Sequence, residues 1–162
     1  MYARDHAVIA TPVGRVRLEA ADGRIAALSI DVEDAEQAPG DGVLSDAARQ
    51  LDAWFAGTRR DFDLPLVAAA TPRGAALRHA IIDIGYGGRA TYGSLAHAIG
   101  SSTRAIGQAC ARNPLPIIVP CHRVLPAGGK LGAYSGGRGP QTKQWLLDHE
   151  HRTSGGSGLW AR

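Results

Sequence analysis

The sequence predicts a two-part α/β protein. A small N-terminal α/β domain, an antiparallel β-meander plus one helix and a linker, is expected over residues 1–70. A mainly helical domain with a helix-turn-helix and a loop holding a Cys-His pair is expected over residues 71–153, and a flexible tail over 154–162. Three observations predict this division. Apolar residues alternate with polar ones in the first third, then recur at helical spacing. The charge divides in the same way: residues 1–65 hold seven arginines against twelve acids, whereas residues 66–162 hold eleven cations against three acids, so the net +3 conceals an acidic part and a basic part. A chain of 162 residues, 44% of them apolar, can also bury a core without disulfide staples.

The elements follow in order. Residues 7–10 are short and apolar, and Thr11-Pro12-Val13-Gly14 reads as a turn. Val16, Leu18 and Ala20 alternate with Arg15, Arg17 and Glu19, the period of a half-buried strand. Asp22-Gly23 is a hairpin signal, and residues 25–30 continue the meander. Residues 31–42 are acidic and contain Pro39-Gly40, hence loop. Ser45 is expected to cap a helix whose inner face is Ala47, Ala48, Leu51, Trp54 and Phe55, ending at Gly57. Residues 58–74, with two prolines, read as the linker, and residues 75–84 as a helix before the Gly85-Tyr86-Gly87-Gly88 loop.

Leu95, Ala96 and Ile99 share one helical face, and Ala105, Ile106, Ala109 and Cys110 another. Gly100 can stop the first helix, and Ser101 or Ser102 can cap the second. Two short helices joined by so tight a turn read as a helix-turn-helix. The outward face of the second holds Arg104, Gly107, Gln108, Ala111 and Arg112. Small residues between arginines would admit a nucleic-acid backbone, and simple helix packing would explain them equally well. Ile117-Ile118-Val119 is a β-branched buried segment bounded by prolines, followed by a glycine-rich loop over 128–139. Pro140 suits the first turn of a last helix marked by Trp145, Leu146 and His149.

Composition narrows the function. No apolar run is long enough to span a bilayer, and the segment after Met1 lacks the apolar core of a secretion signal. Cys110 and Cys121 form neither a disulfide framework nor a metal-ligand spacing, so free thiols in a reducing, cytoplasmic compartment are expected, with no metal and no cofactor. The basic second part points to a polyanionic partner.

Cys110 falls on an apolar helix face, as a small buried hydrophobe would. Cys121 instead follows a proline and is followed at once by His122 and Arg123. An unperturbed thiol has a pKa of about 8.5, so near pH 7 it needs a base or a nearby cation to react. His122 can serve if an acid orients it. Asp83, Asp148 and Glu150 are the only acids in this part, and Glu150 at the end of the last helix is the candidate third member.

Pro120-Cys121-His122-Arg123-Val124 resembles the acceptor-cysteine signature of the O6-alkylguanine-DNA alkyltransferases (methylated-DNA–protein-cysteine methyltransferases). Asn113-Pro114-Leu115-Pro116 before it, and Tyr134-Ser135-Gly136-Gly137 and Lys143-Gln144-Trp145-Leu146-Leu147 after it, fit the same family. So do Tyr92-Gly93-Ser94-Leu95-Ala96 and Arg104-Ala105-Ile106-Gly107 upstream, and the resemblance spans roughly residues 8–151. It implies that Cys121 accepts the alkyl group once and irreversibly. His122 would take the thiol proton through a water, Glu150 would orient it, and Asn113 would hold the active-site turn. Tyr92 would help turn the damaged nucleotide out, Arg104 would fill its place, and Gly107 and Arg112 would meet the DNA with Arg123. Tyr134, Ser135 and Val124 would line the substrate pocket. The implied partner is double-stranded DNA carrying O6-alkylguanine, with O4-alkylthymine as a second lesion, entered through the minor groove by a monomer. The alternative is a DNA-binding protein that senses alkyl lesions without transfer, and a Cys-His hydrolase is a third possibility. The chain departs from the family's habits at Arg73-Gly74, at Arg78 where a Trp is usual, at Gly85 where a Pro is usual, and at Ala133 where an Asn is frequent.

Overall fold

A computed structural model describes residues 5–154, which form two compact units divided between Val67 and Ala68. The expected tail lies, beyond Ser154, outside the described residues, as do the first four residues of the N-terminus.

In the first unit, strands β1 (Asp5–Ile9), β2 (Val16–Ala21) and β3 (Arg24–Ile30) pair antiparallel in the order β1-β2-β3. Ala7, Leu18 and Leu28 stand in register, so the inward face of the meander is continuous. Asp22 and Gly23 both take positive φ, 51° and 73°, as a two-residue hairpin turn requires. Helix α1 (Val43–Phe55) packs its Ala47, Leu51 and Trp54 stripe on β2 and β3. It begins at Gly42, three residues before the expected Ser45 cap, with Asp46 in its first turn, where acid suits the helix dipole.

The expected linker is in part a piece of this unit. The Ile25 amide donates to the Pro65 carbonyl at 2.8 Å, and the Val67 amide returns to the Ile25 carbonyl at 2.9 Å. Gln50 exchanges two further bonds with the backbone of Asp63. Residues 65–67 therefore cover an edge of β3 that would otherwise expose unpaired backbone groups, and Gln50 holds the approach to it.

In the second unit, α2 (Pro72–Ile82) starts earlier than its apolar run. Thr71 caps it by accepting from the Gly74 amide at 3.0 Å, and Pro72 occupies the first turn, where its missing N–H costs nothing. Gly85 takes φ 81°, which excludes the proline usual at this place in the family. A short strand β4 (Ala90–Thr91) leads into α3 (Tyr92–Ile99), capped reciprocally by Thr91 and Ser94. Gly100 stops α3 in the left-handed conformation, and Ser102 caps α4 (Thr103–Ala111) by accepting from the Ala105 amide at 3.1 Å. The helix-turn-helix is thus built from the residues the sequence singled out.

Residues 117–119 are buried as expected, but they form no strand. Ile117 instead adopts φ 74°, a strained conformation for a β-branched residue, with a cost on the order of 1–3 kcal/mol. A 3-10 turn over Cys121–Arg123 follows, then strand β5 (Val124–Leu125), which pairs parallel with β4. That pairing, which has no signature in the sequence, brings the start of α3 alongside the cysteine segment. Helix α5 (Pro140–Thr153) closes the unit over a core including Ile106, Leu115, Ile117 and Leu146.

Candidate active site

The cysteine turn is shaped by Asn113. Its side-chain oxygen accepts from the Leu115 amide at 3.0 Å, and its amide nitrogen donates to the Val119 carbonyl at 2.9 Å. The same nitrogen lies 3.3 Å from the Cys121 sulfur and donates to it. One side chain therefore bridges both ends of the strained loop and aims a donor at the thiol.

Cys121 is only 4% exposed. Burial pushes its pKa up, and the Asn113 hydrogen bond and the nearby Lys143 charge pull against that without reversing it. At neutral pH the resting group is a thiol. The Cys110 thiol is pushed up to about 12, first by burial and then by Cys121, which fits an inert core residue.

Behind Cys121 lies a buried polar cluster. The His122 ring nitrogen Nε2 stands 2.8 Å from Glu150 Oε2. Arg123 donates from Nη2 to the same oxygen at 2.7 Å, and from Nε to both carboxylate oxygens at 3.0 and 3.1 Å. The Gly87 amide donates to Oε1 at 3.2 Å. Burial alone would push the Glu150 carboxyl up, but His122 and Arg123 outweigh it and bring its pKa to about 2. The carboxylate is therefore ionised and can only accept. Nε2 must carry the imidazole proton, which leaves the lone pair on Nδ1. Burial also lowers the His122 pKa, against the pull of Glu150, so the ring is neutral and basic on its Nδ1 side.

A cavity of about 160 Å³ lies at Cys121. Tyr92, Gly107, Cys110, Ala111, Cys121, Ala133, Tyr134 and Ser135 line it. Cys121, Tyr92, Gly107, Tyr134 and Ser135 are thus brought together. The Tyr134 hydroxyl is buried with no hydrogen-bond partner among the described residues. Gly107 is not small for packing reasons: a Cβ built there meets nothing within 4 Å. Arg104 and Arg112 are exposed on α4 and at its C-terminal end.

Two expected positions are corrected. Arg123 is 5% exposed, with its guanidinium spent on Glu150, so it supports the cluster from within and presents no charge to a partner. Val124 is fully buried and does not line the cavity; its carbonyl accepts from Lys143 at 2.8 Å. Sequence alone gives no role to Lys143 and no place at the cavity to Cys110. The signal for Lys143 was present: Lys143, Leu146, Leu147 and Glu150 recur at helical spacing, so a cation and an acid share the apolar stripe of α5.

Fold and site together define a helix-turn-helix domain with a buried thiol backed by a histidine–carboxylate pair. The chain matches the family model for the 6-O-methylguanine DNA methyltransferase DNA binding domain over residues 75–152, and that for its ribonuclease-like domain over residues 6–68. It is 36% identical over 154 residues to the constitutive methylated-DNA–protein-cysteine methyltransferase of Bacillus subtilis, covering 86% of this chain and 91% of that one. The crystal structure of the O6-methylguanine methyltransferase of Mycobacterium tuberculosis superposes with a TM-score of 0.80 at 34% identity, covering 93% of this chain and 94% of that one. The OGT of the same organism in complex with DNA gives 0.79 at 34% identity, over 91% and 93% of the two chains. The chain belongs to the 6-O-methylguanine DNA methyltransferase family.

Proposed function

We propose that this protein repairs DNA directly, moving the alkyl group of O6-alkylguanine, and by the same chemistry of O4-alkylthymine, onto Cys121. A carbon–sulfur bond forms as the carbon–oxygen bond to the base breaks, and the thiol proton leaves through His122. The observation that carries this reading is the cavity: Cys121 lines it, and a neutral imidazole with its lone pair on Nδ1 stands in the adjacent residue. A soft thiolate generated at the moment of attack suits an alkyl carbon on an aryl oxygen. His122 takes the proton through a water, and Glu150 fixes the tautomer and stabilises the imidazolium. The thioether has no route back to a thiol, so each molecule acts once.

A base inside a duplex cannot reach the thiol of a residue that is 4% exposed, so the damaged nucleotide must be turned out, at a cost of a few kcal/mol. Tyr92, at the cavity wall and the start of α3, is placed to assist. Arg104, exposed on α4, occupies the vacated stack, where a guanidinium can both stack and pair with a base edge. Gly107, Ala111 and the exposed Arg112 let α4 lie close to the minor groove. Tyr134 and Ser135 cover the base, and backbone donors near Ser135 stabilise the departing oxygen. The protein acts as a monomer in the compartment that holds the genome, the cytoplasm in a bacterium or the nucleus in a eukaryote.

The test is intact-protein mass spectrometry after incubation with an equimolar duplex containing O6-methylguanine. One methyl group is expected on the peptide carrying Cys121, and none on the Cys121→Ala variant. Tight lesion binding without mass gain would overturn transfer in favour of sensing, and turnover beyond one equivalent on an activated ester would favour a hydrolase.

A further inference from the structure

A cavity of about 520 Å³ lies in the second unit and shares no lining residue with the one of about 160 Å³ at Cys121. Its size falls in the range of small-molecule sites, about 300–1,000 Å³. Leu77 and Ile81 of α2, with Val119 of the strained loop, give it a buried apolar floor. Ala109 of α4 and Pro114 add to the apolar wall. Arg78 lines it at the position where a tryptophan is usual, and a thin guanidinium stem fills less of the space than an indole would.

The charged groups of the wall select the kind of ligand. Arg78 is half-buried on α2, and Arg112 is exposed at the end of α4, while none of the lining residues is acidic. Burial lowers the Arg78 pKa, the mark of a guanidinium partly withdrawn from water, yet the group stays charged and is favourable to an anion. The other polar side chains of the wall are engaged. The Thr71 hydroxyl accepts from the Gly74 amide, and Asn113 bonds the Leu115 amide, the Val119 carbonyl and the Cys121 sulfur. A small hydrated anion gains nothing from the apolar floor, and an uncharged apolar ligand would desolvate the guanidinium without compensation. A ring that carries a carboxylate satisfies both parts, because a guanidinium pairs with carboxylate oxygens two at a time and stacks on aromatic faces.

We propose that this cavity is a binding site for a small aromatic carboxylate, with the ring on Leu77, Ile81 and Val119 and the carboxylate on Arg78, beside Arg112. The site is distinct from the acceptor cavity and does not depend on the chemistry of Cys121. Asn113 and Val119 belong both to its wall and to the segment that holds the cysteine turn, so the ligand lies against that segment.

The test is a titration of the full chain, labelled with carbon-13 at the methyl groups of Ala, Ile, Leu and Val, with β-naphthoate and with its neutral isostere β-naphthamide. The signals of Leu77, Ile81 and Val119 are expected to shift along one saturation curve, with naphthoate binding about tenfold more tightly than the amide, the effect of one charge-assisted pair. Shifts confined to Ala111 and Ala133, whose methyl groups belong to the residues at the acceptor cavity, would place the ligand there and overturn the proposal. Equal affinity for the two probes, or no shift at millimolar ligand, would overturn it as well. These readouts need no variant. Arg78→Met should bring naphthoate down to the affinity of the amide, and Arg78→Trp, which fills the cavity, should abolish binding of both; naphthoate bound undiminished by either variant would remove Arg78 from the site and the proposal with it. None of these measurements involves alkyl transfer, so failure here leaves the proposed function standing, and failed transfer leaves these titrations unchanged.

Discussion

Replacing Glu150 by Gln keeps the volume of the side chain and removes one charge from the interior, and the structure gives the size of the effect. The carboxylate accepts from four donors: His122 Nε2, Arg123 Nε and Nη2, and the Gly87 amide. A glutamine has one acceptor oxygen, and whichever way its amide turns, its NH2 group meets either the Gly87 and Arg123 side or the His122 and Arg123 side. Arg123, 5% exposed, is left without a counter-ion. Breaking a buried pair in this way costs about 3–5 kcal/mol, more than about 10 °C in the melting midpoint of a unit this size. The pH dependence provides a second check. The Glu150 pKa falls from an ordinary value of about 4.3 to about 2 in the fold, so wild type holds about 3 kcal/mol above pH 4.3 that is lost as pH drops toward 2. Gln does not titrate, so the two stability curves, measured by urea unfolding with circular dichroism, should lie far apart at pH 7 and converge near pH 2. A gap below about 1 kcal/mol at pH 7, or one that stays constant down to pH 2.5, would refute the assignment of Glu150 as the charged centre of the cluster.

Two further substitutions address the outer face. Gly107→Ala places a methyl group where nothing lies within 4 Å, so it should raise stability by about 0.5–1 kcal/mol through helix propensity while weakening duplex binding measured by fluorescence anisotropy; a loss of stability would return the glycine to a packing role. Arg104→Ala, at an exposed position, should change stability by less than about 0.5 kcal/mol yet slow repair of duplex DNA more than reaction with free O6-benzylguanine; equal losses on the two substrates would remove it from the vacated stack.

Much of the architecture was legible in the sequence because it rests on local chemistry. The period of Val16, Leu18 and Ala20 marks a strand, the positive φ available to Gly23 marks its turn, and Gly100 and Ser102 punctuate two helices. Glu150 stood out because acids are scarce in a basic half. What stayed hidden was set by tertiary contacts. Residues 65–67 join β3 through backbone bonds, which any sequence can make. Arg123 lies beside a candidate nucleophile in a basic half, and its sequence position resembles that of a DNA contact. Only the return of α5 puts a carboxylate against it. Lys143 was visible in principle as a cation on an apolar stripe, but lysines at such places usually reach solvent by their long stems. Here the Val124 and Ala133 carbonyls meet the ammonium inside the protein.

Burial and reactivity oppose each other at Cys121, and the surrounding groups show how the opposition is resolved. Desolvation holds the group as a thiol, and a thiol at rest resists both oxidation and stray alkylation, since thiolates carry that chemistry. For an acceptor that can act only once, premature reaction is equivalent to loss of the molecule. The groups that would favour ionisation are already in place but insufficient alone: the Asn113 donor at 3.3 Å, the Lys143 charge, and a neutral His122 ready to take a proton. A base entering the cavity of about 160 Å³ displaces water, which strengthens each of these interactions together. Asn113 connects this readiness to the backbone, because the amide that donates to the sulfur also bonds the Val119 carbonyl and so holds Ile117 at its strained φ. The nucleophile and the turn that carries it are therefore positioned by one side chain, so a change that relaxes the turn also withdraws the donor from the sulfur.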